Sequence, residues 1–228
     1  SLKRLLLNRG IKMNDDKEEL LNELLQVLSR CYGSDKFSDL TIKLKNGVFN
    51  AHRLILYARG DNWSTTPLSQ ISTLNWEHID AEISIAILKW VYTFEIDLPS
   101  NEEFVLNLMK NAGSFKLKNL CKICERKLIE FSCFDNCIKF YTIAGEIGAI
   151  LLKNHCAGLI SRNWSSFTAK DFKDTNAKWL YQLLKTNAEH PLHSAVKFQR
   201  LDLVEWHLNE NKGEVSENIY QLQHLFFK

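Results

Sequence analysis

Residues 38–59 read SDLTIKLKNGVFNAHRLILYAR, and their pattern decides the fold. Leu40, Ile42 and Leu44 alternate with Thr41, Lys43 and Lys45, the period-2 signature of a strand with one buried face. Asn46-Gly47 follows; both residues tolerate positive φ, so the pair predicts a tight type I′ turn. Val48 and Phe49 then return antiparallel. After Ala51-His52-Arg53 the period changes, and Leu54, Ile55 and Ala58 lie at helical spacing.

Outward from this hairpin, the upstream segment opens a helix with Asp15, Asp16, Glu18 and Glu19 at its positive end. Leu20, Leu21, Leu24, Leu25, Val27 and Leu28 give it a broad apolar stripe. Downstream, Arg59-Gly60-Asp61-Asn62 ends the first core helix, and residues 64–72 read as a polar loop. The segment 73–76, TLNW, predicts a short third strand. Ile83, Ala86, Ile87, Trp90, Val91 and Phe94 then follow a 3-4 spacing that predicts one continuous buried helical face. Ser100 with Glu103 predicts a capping box. It opens a helix faced by Phe104, Val105, Leu108, Met109 and Ala112 and stopped by Gly113. Leu120, Cys121, Cys124, Leu128 and Phe131 form another helical face. Helix, hairpin, helix, short strand and more helices make an α+β domain with a small sheet.

Two segments carry a family resemblance. Ser38-Asp39-Leu40, the hairpin, then Phe49, Ala51-His52-Arg53, Ile55-Leu56 and Ala58 resemble the opening of a BTB/POZ domain. Trp90-Val91-Tyr92-Thr93 with Glu95-Ile96 resembles that fold's "YTGE" segment. Trp63 stands where the family places an aromatic after its first core helix. The resemblance implies a BTB/POZ fold over 17–131, behind an N-terminal segment 1–16. It further implies homodimerisation, with Leu20, Leu21, Leu24 and Leu28 on the dimer-interface helix. It also implies a charged pocket near the dimer groove made by Asp39 and Arg53, close together and partly buried.

Past Asp135 strand signals vanish. Ile138, Tyr141, Ala144 and Ile147 mark one helix, and Leu152, His155, Cys156, Leu159 and Ile160 a second. Phe172, Trp179, Leu180, Leu183 and Leu184 mark one or two more. By its position, 132–187 resembles a BACK domain or its first part. His190-Pro191-Leu192-His193 with Ala195 then resembles the ankyrin signature T-P-L-H-x-A, over 188–213. Gln199-Arg200 departs from it where a glycine usually separates the two helices. One repeat cannot bury its own face, so it either begins an array or docks on the preceding helices. The segment 214–228, with Leu222, Leu225, Phe226 and Phe227, matches nothing. The order of these parts resembles the front of rabankyrin-type proteins, whose further ankyrin repeats and FYVE finger lie outside this sequence. That likeness implies a cytosolic effector of an endosomal Rab GTPase, at early endosomes, acting in endocytosis and macropinocytosis.

Composition narrows the chemistry. The 228 residues are 45% hydrophobic and 25% charged with net charge +2. No basic footprint for nucleic acid or an anionic membrane stands out. No apolar run is long enough to span a bilayer, and SLKRLLL at residues 1–7 is too short for a secretory signal. An intracellular chain with 6 cysteines is expected to keep them mostly reduced. Cys121, Cys124, Cys133 and Cys137 suggest a four-thiolate metal site at first sight. The CxxC pair, however, lies inside a helical pattern without the glycines that turn a zinc knuckle. His155 and Cys156 are adjacent, so on a helix they point about 100° apart and pair poorly. His52 reads as a structural histidine. There is no phosphate loop, G-x-S-x-G or H-E-x-x-H. No cofactor and no catalytic activity are expected. A cullin-type ubiquitin ligase adaptor is the competing expectation, weakened because the loop 64–72 has no Glu for the hydrophobic-x-Glu motif those adaptors carry.

Overall fold

The computed structural model describes residues 15–60, 62–188 and 191–210, except the side chains of 15–18, 20, 21, 24 and 208–210. The described chain divides into two compact units at Leu128 and Ile129.

In the first unit β1 (Leu40–Leu44) is the central strand of a three-stranded sheet. It pairs antiparallel with β2 (Gly47–Ala51) and parallel with β3 (Thr73–Trp76). Leu40, Ile42 and Leu44 are buried, as are Phe49, Ala51, Leu74 and Trp76. The alternation therefore does mark the inner face of the sheet. The turn differs from the sequence expectation. Leu44 pairs with Gly47, so Lys45 and Asn46 are the turn residues, and neither has a positive φ. A type I′ turn is therefore excluded, because Gly47 is drawn into the ladder.

Around the sheet lie α1 (Asp15–Arg30), α2 (Arg53–Arg59), α3 (Ala81–Thr93), α4 (Glu102–Ser114) and α5 (Lys118–Phe131). The short α2 buries Ile55 and Leu56, whereas Leu54, Tyr57 and Ala58 face solvent. Of the three residues at helical spacing in the sequence, Leu54, Ile55 and Ala58, only Ile55 is buried, and in these two turns of helix its neighbour Leu56 shares the inner face. Helix α3 buries Ile83, Ile87, Trp90 and Val91, and also Ser84, Leu88 and Tyr92. It is covered on more than one side. Phe94 does not continue its face: it caps the helix in the left-handed region (φ 58°), its N–H donating to Trp90 O at 2.8 Å. Asn101, not Ser100, caps α4, its side-chain oxygen accepting from the Phe104 N–H at 3.1 Å. Nor does Gly113 stop α4; it lies within the helix, and the left-handed residue after it is Lys116.

Among its described residues the second unit is all-helical: α6 (Cys137–Ile147), α7 (Ile150–Arg162), α8 (Ala177–Asn187), α9 (Pro191–Lys197) and α10 (Leu201–Glu210). Phe172, on the segment between α7 and α8, is fully buried against Phe167, Trp164 and Phe198. The α9–α10 hairpin turns at Gln199, which adopts φ 56°, the conformation a glycine supplies without strain. Arg200 then locks the turn, donating from Nη1 to Phe172 O at 2.6 Å and pairing with Asp202. His190 and the segment 211–228, with Leu222, Leu225, Phe226 and Phe227, lie outside the described residues.

Candidate interaction surface and charged pair

The first strand, α2 and the C-terminal end of α3 meet at a buried polar knot. His52 is 7% exposed and sits between Tyr92 and the Lys36 carbonyl. The His52 Nε2 faces Lys36 O at 2.9 Å. A carbonyl only accepts, so Nε2 carries the proton and Nδ1 accepts from the Tyr92 hydroxyl at 3.0 Å. The Tyr92 oxygen in turn accepts the His52 backbone N–H at 2.9 Å. Burial pushes the Tyr92 hydroxyl up to about 12, so it stays a donor across the physiological range. Tyr32 and Phe49 complete the ring cluster around Tyr92, with centroids 5.8 and 6.0 Å away. His52 thus ties the start of α2 to α3 and to the segment before β1.

Beside this knot lie Asp39 and Arg53. One Asp39 carboxylate oxygen accepts the Arg53 backbone N–H at 2.7 Å, and the other stands 3.6 Å from Nε. The guanidinium also donates to Asp39 O at 3.0 Å and Leu68 O at 2.6 Å. The Arg53 side chain is 27% exposed and that of Asp39 55% exposed. Asp39 is therefore an open-faced partner, not a buried one: both its oxygens face Arg53 while half of the side chain stays exposed. The arrangement fastens the 3₁₀ turn Leu68–Gln70 to the start of α2. Hydrogen bonds to a charged group contribute about 1.5–3 kcal/mol, less where water competes. Arg53→Met is expected to cost roughly 1–2 kcal/mol and to raise amide exchange at residues 68–71. Unchanged protection there would refute this tethering role.

A second arginine, Arg59, is held without a carboxylate among the described residues. Its guanidinium lies 3.4 Å from the Phe94 ring centroid, and Nε donates to Val91 O at 2.6 Å. Burial pulls it down to about 10. No sequence pattern singles out this cation–π clasp, because Phe94 reads as a core residue of α3.

The helix α1, expected from the sequence at a dimer interface, contacts α3 of its own chain. Leu28 is half-buried, while Leu20, Leu21 and Leu24 have side chains outside the described set. Val27 on α1 is 55% exposed, and on α2 Leu54 and Tyr57 are 76% and 67% exposed. In the α9–α10 hairpin Leu192 and Ala195 are buried, Pro191 half-buried and His193 exposed.

The cysteines show no metal geometry. Among the described residues no group of three or more His, Cys, Asp or Glu side chains could hold an ion. Cys124 and Cys137 are buried, Cys121 is half-buried and Cys133 exposed. Burial pushes the Cys121 thiol up to about 11 and Cys156 up to about 12, and Cys124 is raised by the same cause. Thiols so shifted are poor nucleophiles at neutral pH. No helix among the described residues is long and apolar enough to cross a membrane.

The hairpin feeding α2, the parallel third strand and the His52–Tyr92 knot occupy one continuous stretch, and residues 28–132 match the family model of the BTB/POZ domain. Residues 28–132 are a BTB/POZ domain. The likeness to curated proteins runs well past the BTB/POZ domain. The chain is 32% identical to human rabankyrin-5 over 219 residues, covering 96% of this chain and 19% of that protein. The mouse rabankyrin-5 matches equally, at 32% identity over 219 residues. The Kelch repeat and BTB domain-containing protein 1 of cowpox virus is 23% identical over 193 residues, 81% of this chain and 33% of that protein. Among solved structures, the BTB domain of zebrafish PATZ1 is similar at 22% identity and TM-score 0.42, covering 53% of this chain and 98% of that one. The chain thus spans about a fifth of the length of the rabankyrins it matches (19%).

Proposed function

We propose that this chain is a non-catalytic protein-interaction scaffold that dimerises through its BTB/POZ domain. The observation that carries this reading is the 32% identity to rabankyrin-5 across 96% of the chain, continuing through the helical unit as well as the BTB/POZ domain. In this reading 132–187 is a BACK-like region and 188–213 a first ankyrin repeat, both presenting partner surfaces. By the same likeness the protein acts as an effector of an endosomal Rab GTPase, on the cytosolic face of early endosomes, in endocytosis and macropinocytosis. The exposed apolar side chains of α1 and α2, Val27, Leu54 and Tyr57, favour a self-association surface. Asp39, with one face open to solvent, adds a charged edge at the start of α2.

Light scattering on the purified chain tests the dimer. A mass of twice 26.5 kDa is expected, returning to 26.5 kDa in the Leu54→Glu, Tyr57→Glu variant. A concentration-independent monomer overturns the reading. For the Rab proposal, an endosomal Rab GTPase loaded with a GTP analogue is expected to retain the chain, and the GDP form is not; equal retention refutes it.

The competing reading, an adaptor for a cullin-type ligase, draws support from the kelch-containing relative, at 23% identity. The loop 64–72 carries no Glu, which disfavours it. Nanomolar binding to a cullin N-terminal domain would decide for the adaptor.

A further inference from the structure

In the helical unit, α6 and the segment ahead of α8 line an open cavity of about 370 Å³. Its apolar floor is made by Ile138 and Ile143 of α6 and by two rings, Phe134 and Phe167. These rings stack face to face, centroids 4.6 Å apart and planes 8° off parallel. Phe134 is nonetheless 41% exposed, so an aromatic face is left to the cavity mouth or to water. Asp135, Asp171 and Asp174 also line the cavity, against one cation, Lys139. Asp171 is fixed in place: one carboxylate oxygen accepts from the Thr168 N–H at 2.7 Å and from its hydroxyl at 2.8 Å.

We propose that this cavity docks a linear peptide segment carrying an Arg or Lys next to a bulky aliphatic residue. Three features converge on that chemistry. The volume falls at the lower end of ordinary ligand pockets, which suits two side chains rather than a folded partner. A flat, exposed ring adjoining carboxylates is a site where a guanidinium can stack while its N–H groups reach the acids. The excess of carboxylates over cations sets the sign of the partner's charge, and the isoleucines supply the contact for an aliphatic neighbour. An acidic peptide would meet three like charges and one opposite.

The test uses the whole chain and two fluorescein-labelled hexapeptides, Gly-Arg-Leu-Leu-Arg-Gly and the same sequence with Glu for Arg. Fluorescence anisotropy is expected to show saturable micromolar binding of the Arg peptide, and none of the Glu peptide. Amide and methyl chemical-shift changes should centre on Ile138, Thr142 and Ile143. Asp135→Lys with Asp174→Lys should weaken binding by about tenfold or more. Should that pair lower the melting temperature, Asp135→Asn with Asp174→Asn should weaken it by about threefold. The proposal is overturned by equal binding of the two peptides, by shifts elsewhere, by indifference to the substitutions, or by no saturation below about 1 mM. None of these outcomes bears on the dimer or the Rab reading.

Discussion

Gly145→Ala is expected to destabilise the helical unit by about 1–3 kcal/mol, although alanine ordinarily stabilises a helix interior by about 1 kcal/mol over glycine. A Cβ built at Gly145 would stand 2.7, 2.8 and 2.9 Å from three atoms of the Trp179 indole. That separation is well inside van der Waals contact. The ring cannot simply swing aside. Lys153 Nζ lies 4.1 Å above it and is itself bonded to Gln182 at 3.1 Å, while Lys178 lies 5.0 Å away on its own helix. Burial, and less so the like charge of Lys178, pulls the Lys153 ammonium below the ordinary lysine range. The measurement is a thermal melt with residue-resolved hydrogen exchange. Protection should fall in α6 and α8, with a drop in Tm of roughly 2–4 °C per kcal/mol. Trp179→Leu removes the obstruction, so Gly145→Ala added to it should be neutral or stabilising. The coupling from that double-mutant cycle should be of the same 1–3 kcal/mol size. A stabilising Gly145→Ala in the unaltered chain would show that α6 and α8 are not in close contact here.

Trp76→Ala is expected to cost about 3–5 kcal/mol, enough to leave much of the BTB/POZ domain unfolded at 37 °C. Trp76 is 1% exposed at the end of β3, where it pairs with Leu44. Its indole stacks on Phe115 at 4.8 Å and on Trp63 at 6.0 Å. Trp63 in turn donates its indole N–H to Leu56 O at 2.9 Å. One ring thus joins sheet, α2 and the end of α4. Trp76→Phe separates packing from polarity. The Trp76 N–H is buried and has no hydrogen-bond partner among the described residues, so phenylalanine discards a group whose burial costs about 1–3 kcal/mol. Urea unfolding should therefore place Trp76→Phe well under half the loss of Trp76→Ala. Equal losses would mean the indole N–H is satisfied in solution.

Which features were legible in the sequence follows from how local they are. The hairpin strands are local, and the alternation of Leu40, Ile42 and Leu44 marks the same residues that the sheet buries. The turn was misplaced because Asn-Gly has a strong intrinsic preference, while the register is set by cross-strand pairing of Leu44 with Gly47. Seven residues of α2 contain too few turns for periodicity to choose a face, so the spacing of Leu54, Ile55 and Ala58 marks a helix without marking its buried side, which is Ile55 and Leu56. Asn101 won the cap from Ser100 by a single position, a distance at which both read as good caps. His52 was legible as structural, but its partners Tyr92 and Lys36 were not, because tertiary hydrogen bonds leave no periodic trace. The same holds for the Arg59–Phe94 clasp and for the cavity beside α6. Its lining joins residues 134–143 to 167–175, which no local pattern connects.

The parallel pairing of β1 with β3 has a consequence for biosynthesis. During translation the hairpin 40–51 can close as soon as it leaves the ribosome, since its contacts are local. The far side of β1 then waits for residues 73–76, which arrive only after α2 and the 3₁₀ turn have been made. Throughout that interval Ile42 and Leu44 sit on a ladder with one unpaired border, the feature through which nascent chains on neighbouring ribosomes pair wrongly. A chain truncated between the hairpin and residue 73 keeps that border permanently, and its expected fate is aggregation rather than a smaller soluble domain.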